Sequence, residues 1–238
     1  PLLGLGDIRI HNRDGVSYLQ EMLPVDCLFL DPARRDGHGG KTVAISDCEP
    51  DVTVLEPLLV DKAKKVMVKL SPMLDLSLAL NELKTVRAVH IVAVNNECKE
   101  LLLILQKESV SSEVSIHCEH IAGNGESRHY TFTLKQEKHR PVLLADEVGT
   151  YLYEPNAAIL KAGAFRSLTQ TYPVAKLHLN SHLYTSVSLV PDFPGRRFRV
   201  EAVSGFGKKE LKAFLMDMDK ANTRSATFHY RLRNFANV

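Results

Sequence analysis

The sequence predicts an α/β protein whose larger part is a mostly parallel sheet, followed by a small α+β domain. Three observations support this. Short apolar runs rich in β-branched residues alternate with longer segments of helical period through roughly the first 140 residues. A polar stretch, Lys135–Arg140, leads into Pro141, so a linker near residues 135–148 divides the chain into a 1–140 domain and a 145–238 domain. Beyond it, short strand-like runs and a few helical segments suggest a small antiparallel sheet with helices on one side.

In order, the strand candidates of the first domain are Ile8–His11, Asp26–Leu30, Lys65–Leu70, Ala88–Val94, Val114–Cys118 and Tyr130–Leu134. Helices are expected at Val16–Met22, at Pro57–Lys64 with Pro57 in its first turn, and at Asp75–Lys84, with Leu76, Leu80 and Leu83 on one face. Another is expected at Glu97–Lys107, with Leu101, Leu102 and Leu105 aligned. These leucine stripes are core. Gly123-Asn124-Gly125 joins the last two strands of this domain as an antiparallel hairpin. In the second domain, Pro155–Ala164 reads as helix, and Lys176–Leu179, Thr185–Val190 and Phe198–Val203 as strands. Lys208–Asp217 is amphipathic, and Ala226–Arg231 is again a strand.

At 238 residues with 45% hydrophobic and 24% charged content, the chain can bury a substantial core. No apolar run approaches the roughly 18 residues of a membrane span, and no signal peptide is visible, so a cytoplasmic protein without a membrane partner is expected. Cys27, Cys48, Cys98 and Cys118 form no CxxC pair, which argues against zinc knuckles and a disulfide framework. Net charge is +2, unevenly divided. Residues 145–238 hold 13 Lys and Arg against 8 Asp and Glu, whereas the first 144 hold 17 against 20. A basic second domain suits a phosphate backbone, and equally an ordinary solvated surface.

The feature that carries chemistry is Asp26-Cys27-Leu28-Phe29-Leu30-Asp31-Pro32-Ala33-Arg34-Arg35. An apolar strand runs straight into Asp-Pro and then into a loop with two arginines. In open α/β sheets, ligands bind just beyond the carboxyl ends of the strands, where this Asp-Pro must lie. An ordinary strand-ending turn uses the same residue types.

With these residues in view, the chain resembles class I S-adenosylmethionine-dependent methyltransferases that act on nucleic acid. The strand ending in Asp-Pro is similar to their motif IV. It is closer to a bacterial group with Asp-Pro-Ala-Arg-Arg and a C-terminal THUMP-like domain. Asn12-Arg13-Asp14-Gly15 resembles the loop whose acidic residue holds the adenine amine of the cofactor. Ser71-Pro72-Met73-Leu74-Asp75 resembles the loop over the active site, and Asn96–Glu100 and Tyr151–Asn156 resemble further segments of the group.

The resemblance covers almost the whole chain and implies the C-terminal part of a Rossmann-like methyltransferase sheet, followed by a ferredoxin-like or THUMP-like domain. It implies Asp31, Pro32, Arg34 and Arg35 as catalytic residues, Asp14 and Gly15 at S-adenosylmethionine, and Ser71 at the substrate. The glycine-rich loop and ribose-binding acid of such enzymes precede Asp7 and are not in the sequence. Gly4-Leu5-Gly6 comes before a strand and cannot replace that loop, so an N-terminally truncated domain, inactive alone, is expected.

Within this reading Asp31 accepts a hydrogen bond from the methyl acceptor and can take its proton in transfer, which suits an amine nitrogen. Carbon methylation at pyrimidine C5 usually needs a cysteine nucleophile, and none lies in Ser71–Asp75. Cys27 is expected in the core. Arg34 and Arg35 can hold phosphate or carboxylate through their planar forks, or form structural ion pairs. Arg196, Arg197, Arg199, Lys208 and Lys209 are the expected RNA-contacting surface, with Phe198 alternating toward the core. His117, Cys118 and His120 do not complete a metal site, because neighbours on a strand face opposite ways, and no metal is expected. Three functions are thus weighed: an RNA methyltransferase, a small-molecule or protein methyltransferase, and a non-catalytic RNA-binding or assembly module of methyltransferase descent.

Overall fold

The computed structural model describes residues 7–34, 44–107, 113–205 and 207–220. Its larger unit begins with helix α1 (Gly15–Glu21), strand β1 (Val25–Leu30), and a two-stranded ribbon of β2 (Ala33–Arg34) and β3 (Cys48–Glu49). Helix α2 (Val52–Lys62), β4 (Ala63–Leu70), α3 (Leu76–Glu82), β5 (Val86–Val94), β6 (Glu97–Leu105), β7 (Ser115–Ile121) and β8 (Ser127–Thr133) follow. Six strands make one sheet in the order β1-β4-β6-β5-β7-β8. β1 with β4 and β5 with β7 are parallel pairs; the other three pairings are antiparallel, so the sheet is mixed rather than mostly parallel.

The mixed sheet follows from one local event. Asn95 and Asn96 both adopt positive φ, at 51° and 62°, a conformation asparagine tolerates and a two-residue hairpin requires. The chain reverses there, and Glu97–Leu105, expected as helix, lies down as strand β6 between β4 and β5. The run Leu101–Leu105 is apolar at every position and so compatible with either period. Leu101, Leu103 and Leu105 enter the core, leaving Leu102 and Ile104 for the other face.

Ile8–His11, expected as a strand, forms none; Ile8 and Ile10 are exposed. An extended segment needs a neighbour for its backbone groups, and among the described residues β1 pairs only with β4. Helix α2 starts five residues before Pro57, capped by the Asp51 carboxylate on Thr53 N–H at 2.8 Å, so Pro57 is interior. Cys27, expected in the core, is exposed.

The smaller unit contains β9 (Tyr151–Pro155), α5 (Ala157–Ala162), α6 (Ser167–Thr171), β10 (Ala175–Lys176), β11 (Tyr184–Ser186) and β12 (Gly195–Arg199), preceded by α4 (Leu134–His139) and followed by α7 (Lys208–Lys220). Its sheet is antiparallel in the order β10-β11-β9-β12. Strand β9, the centre of this pairing, was not among the expected strands. The expected strand Ala226–Arg231 lies outside the described residues.

The two units share one core. Helix α5 packs on β5, β6 and β7, and Ala158 and Ile159 join the buried cluster that includes Ile91, Ile116 and Cys118. The segment expected as polar linker instead holds α4, which begins with a capping box between Thr133 and Gln136. From α4, the Glu137 carboxylate accepts the backbone N–H groups of Phe165, Arg166 and Ser167 at 2.8, 2.7 and 2.8 Å. These are the donors at the start of α6, whose own N-cap offers no side chain.

Candidate functional site

The parallel strands β1, β4, β5 and β7 end on the same side of the sheet. That edge therefore carries, in spatial order, Asp31-Pro32, Ser71–Asp75, the Asn95-Asn96 turn and His120-Ile121. This is where ligand sites occur in open α/β sheets.

Asp31 follows the last residue of β1. Its side chain is half-exposed, and Oδ2 lies 2.8 Å from Lys69 Nζ, which also stands 3.9 Å from Glu100 Oε2. The hydrogen bond to Asp31 holds the Lys69 ammonium above its ordinary pKa. Lys69 was missed in the sequence. The signal available was register: Leu30 pairs with Val68, so Asp31 and Lys69 come next on parallel neighbours and face the same way. Pro32 is buried. Ala33 and Arg34 pair through their backbones with Glu49 and Cys48. Arg35 lies outside the described residues.

Ser71 starts a tight turn, in which its Oγ accepts the Met73 N–H at 3.2 Å and its carbonyl the Leu74 N–H at 3.1 Å. Asp75 then caps α3 through Leu78 N–H at 3.0 Å. The turn is anchored from the other unit, because Lys161 of α5 donates to the Leu74 carbonyl at 2.7 Å.

Asp14 caps α1: its Oδ1 accepts from the backbone N–H and the hydroxyl of Ser17, both at 2.7 Å. The Ser17 N–H bond, foremost, holds the Asp14 carboxyl below its ordinary range. Gly15 has open space where a Cβ would stand. One exposed carboxylate beside open space does not enclose a nucleoside, so these residues by themselves do not fit a cofactor cradle.

The basic residues of the second unit stand apart from Asp31. Arg196 pairs with Glu154 and lies over the Phe198 ring, its guanidinium carbon 5.9 Å from the centroid. Phe198 is therefore on the same side of β12 as Arg196, only half-buried rather than in the core. Arg197 donates to the Pro191 carbonyl, and Arg199 lies 3.6 Å from Glu201. Lys208 and Lys209 open α7, exposed. No cluster of metal-ligand type occurs among the described residues, and no helix there is long and apolar enough to cross a membrane.

A cleft of about 220 Å³ opens at the junction of the two units, lined by Asn96, His120, Ala122, Glu126, Arg128, Asn156, Gly195 and Arg196. None of these except Arg196 was an expected site residue. No sequence signal marks the site, since it is assembled from four separate segments.

Residues 151–194 match a family of ferredoxin-like domains. Among solved structures, the chain is similar to the crystal structure of a "putative methyltransferase" from Porphyromonas gingivalis W83, at 37% identity and a TM-score of 0.73. The match covers 81% of this chain and 47% of that one, so the chain spans about half the length of that protein. No curated protein matches. The architecture is thus a mixed α/β sheet like that of its methyltransferase-named neighbour, joined to a ferredoxin-like domain.

Proposed function

We propose that this chain forms the acceptor-binding part of an S-adenosylmethionine-dependent methyltransferase acting on RNA, at a base amine nitrogen. The observation that carries the reading is the Asp31-Pro32 turn at the carboxyl end of β1, in a sheet similar to that of a protein named as a methyltransferase. The cofactor supplies an electrophilic methyl group on a sulfonium, and the residues of this chain hold the acceptor. Lys69 engages Asp31 Oδ2 at 2.8 Å, which leaves Oδ1 open to accept a hydrogen bond from an amine N–H. The Ser71–Asp75 turn, pinned by Lys161, walls the same edge. Positioning and polarising the acceptor is then the chain's part of the chemistry.

The test is methyl transfer by the full-length protein, with labelled S-adenosylmethionine and RNA from cells lacking the gene. Asp31→Ala should lower transfer by about a hundredfold or more with an unchanged melting temperature. Undiminished transfer by Asp31→Ala would remove this assignment. RNA binding without transfer by the full-length protein would favour a non-catalytic RNA-binding module.

A further inference from the structure

The junction cleft is rich in hydrogen-bond donors. Asn96 Oδ1 accepts the Ala157 N–H at 2.9 Å, and Asn156 Oδ1 accepts the Ile159 N–H at 3.1 Å. Each Oδ1 is thus engaged by a backbone donor, and each Nδ2 has two N–H donors with no partner among the described residues. His120 Nε2 accepts the Asn96 backbone N–H at 3.1 Å, a bond that assigns the ring proton to Nδ1 and makes the rest of the imidazole a donor. The Arg128 side chain is exposed, and no ion pair or hydrogen bond holds its guanidinium among the described residues. Arg196 adds a second guanidinium, shared with Glu154. Against these five stands one carboxylate, Glu126. Such a lining complements a ligand that accepts at every polar atom and carries negative charge, and arginine forks match phosphate oxygens bidentately.

Size and place narrow the ligand. Pockets for whole drug-sized molecules run from roughly 300 Å³ upward; about 220 Å³ holds a phosphate with part of a sugar. From β1 to β7 is four strand spacings, about 19 Å at roughly 4.8 Å each. A monomer seated in the cleft does not reach Asp31, whereas a polymer does.

We propose that this cleft is a phosphodiester subsite, which grips the backbone of the substrate RNA about 19 Å along the sheet edge from Asp31. The inference rests on the RNA reading above and adds to it the strand's path. Asn96, His120 and Arg128 come from the large sheet and Asn156 and Arg196 from the ferredoxin-like domain, so the subsite exists only where the two are docked. The Asn96–Ala157 and Lys161–Leu74 bonds hold them there.

The test measures binding of a short unstructured oligoribonucleotide to the full-length protein between roughly 50 and 200 mM salt. Wild type is compared with Arg128→Gln, with Arg128→Gln plus Arg196→Gln, and with Lys64→Gln as control. Lys64 loses the same charge, but at the amino end of β4, where it pairs with Asp26 at 2.7 Å. Arg128→Gln should melt like wild type, bind about three- to tenfold more weakly, and reduce the salt slope by about one contact; the double variant should bind more weakly still, and Lys64→Gln should bind like wild type. If wild type binds and Arg128→Gln matches Lys64→Gln, the cleft assignment fails while the RNA reading stands. If uridine monophosphate binds as tightly as the oligomer and with the same dependence on Arg128, the ligand is a small phosphate ester and the polymer path is overturned. If wild type binds no RNA even at low salt, the RNA reading falls and the subsite with it.

Discussion

Replacing Glu137 tests how the two units are locked together. Its carboxylate accepts three backbone N–H groups at the start of α6, two on Oε1 and one on Oε2. Hydrogen bonds to a charged acceptor contribute roughly 1.5–3 kcal/mol each. Glu137 is half-exposed, however, and first-turn N–H groups released from it can reach water. The set should therefore act as a strong helix cap, with Glu137→Ala costing about 3 kcal/mol. Glu137→Gln keeps the two Oε1 bonds and sets an amide against the Ser167 N–H, costing about 1 kcal/mol. For a chain of this length each kcal/mol moves the melting temperature by roughly 2–4 °C. Calorimetry should then show losses of about 6–12 °C for alanine and about 2–4 °C for glutamine, with faster amide exchange at Phe165, Arg166 and Ser167. Lys135→Ala, which removes only the exposed Glu113 pair, should change stability by less than about 1 kcal/mol. A Glu137→Ala melt within the error of wild type, or a glutamine variant as unstable as the alanine one, would refute the capping argument.

Three further outcomes follow from single positions. Gly195→Ala places a Cβ 2.0 Å from the Glu154 carbonyl oxygen and 2.8 Å from Pro155 Cα; both are backbone, so β12 must part from β9, at a cost above roughly 3 kcal/mol read by denaturant titration. Burial, and next the stacked His117 ring at 4.5 Å, lower the His90 pKa below its free value of 6.5. The unfolded chain then binds the proton more readily, so stability contributed by neutral His90 is complete above pH 6.5 and is lost as pH falls from there toward the folded value. His90→Gln should flatten that slope in melts from pH 8 to pH 5, and an unchanged slope would exclude His90 as its source. Among the thiols, exposed Cys27 should react first with an aromatic disulfide reagent, while buried Cys48 and Cys118 react only on unfolding; burial pushes the Cys118 thiol well above its usual pKa.

Reading the sequence located the two parallel strands that carry the candidate site, because Asp26–Leu30 and Lys65–Leu70 are short apolar runs ending in turn residues. It also located the β7–β8 hairpin, through Gly123-Asn124-Gly125. It misread Glu97–Leu105, where five consecutive apolar residues fit a helix or a strand, and the deciding signal was the two asparagines ahead of them. It misread Ile8–His11 because a strand exists only with a neighbour, and alternation says nothing about whether one is there.

What the sequence alone determined is local: which runs are apolar, where turns fall, and that Asp31-Pro32 follows a strand. The tertiary structure decided everything that depends on register between distant segments. The sheet pairing put Lys69 beside Asp31, and the packing of α5 on β5–β7 brought Asn156 and Arg196 to Asn96, His120 and Arg128. Turn chemistry and periodicity are properties of neighbouring residues, whereas an ion pair across strands or a cleft between units is fixed by how whole surfaces fit, which no short stretch encodes.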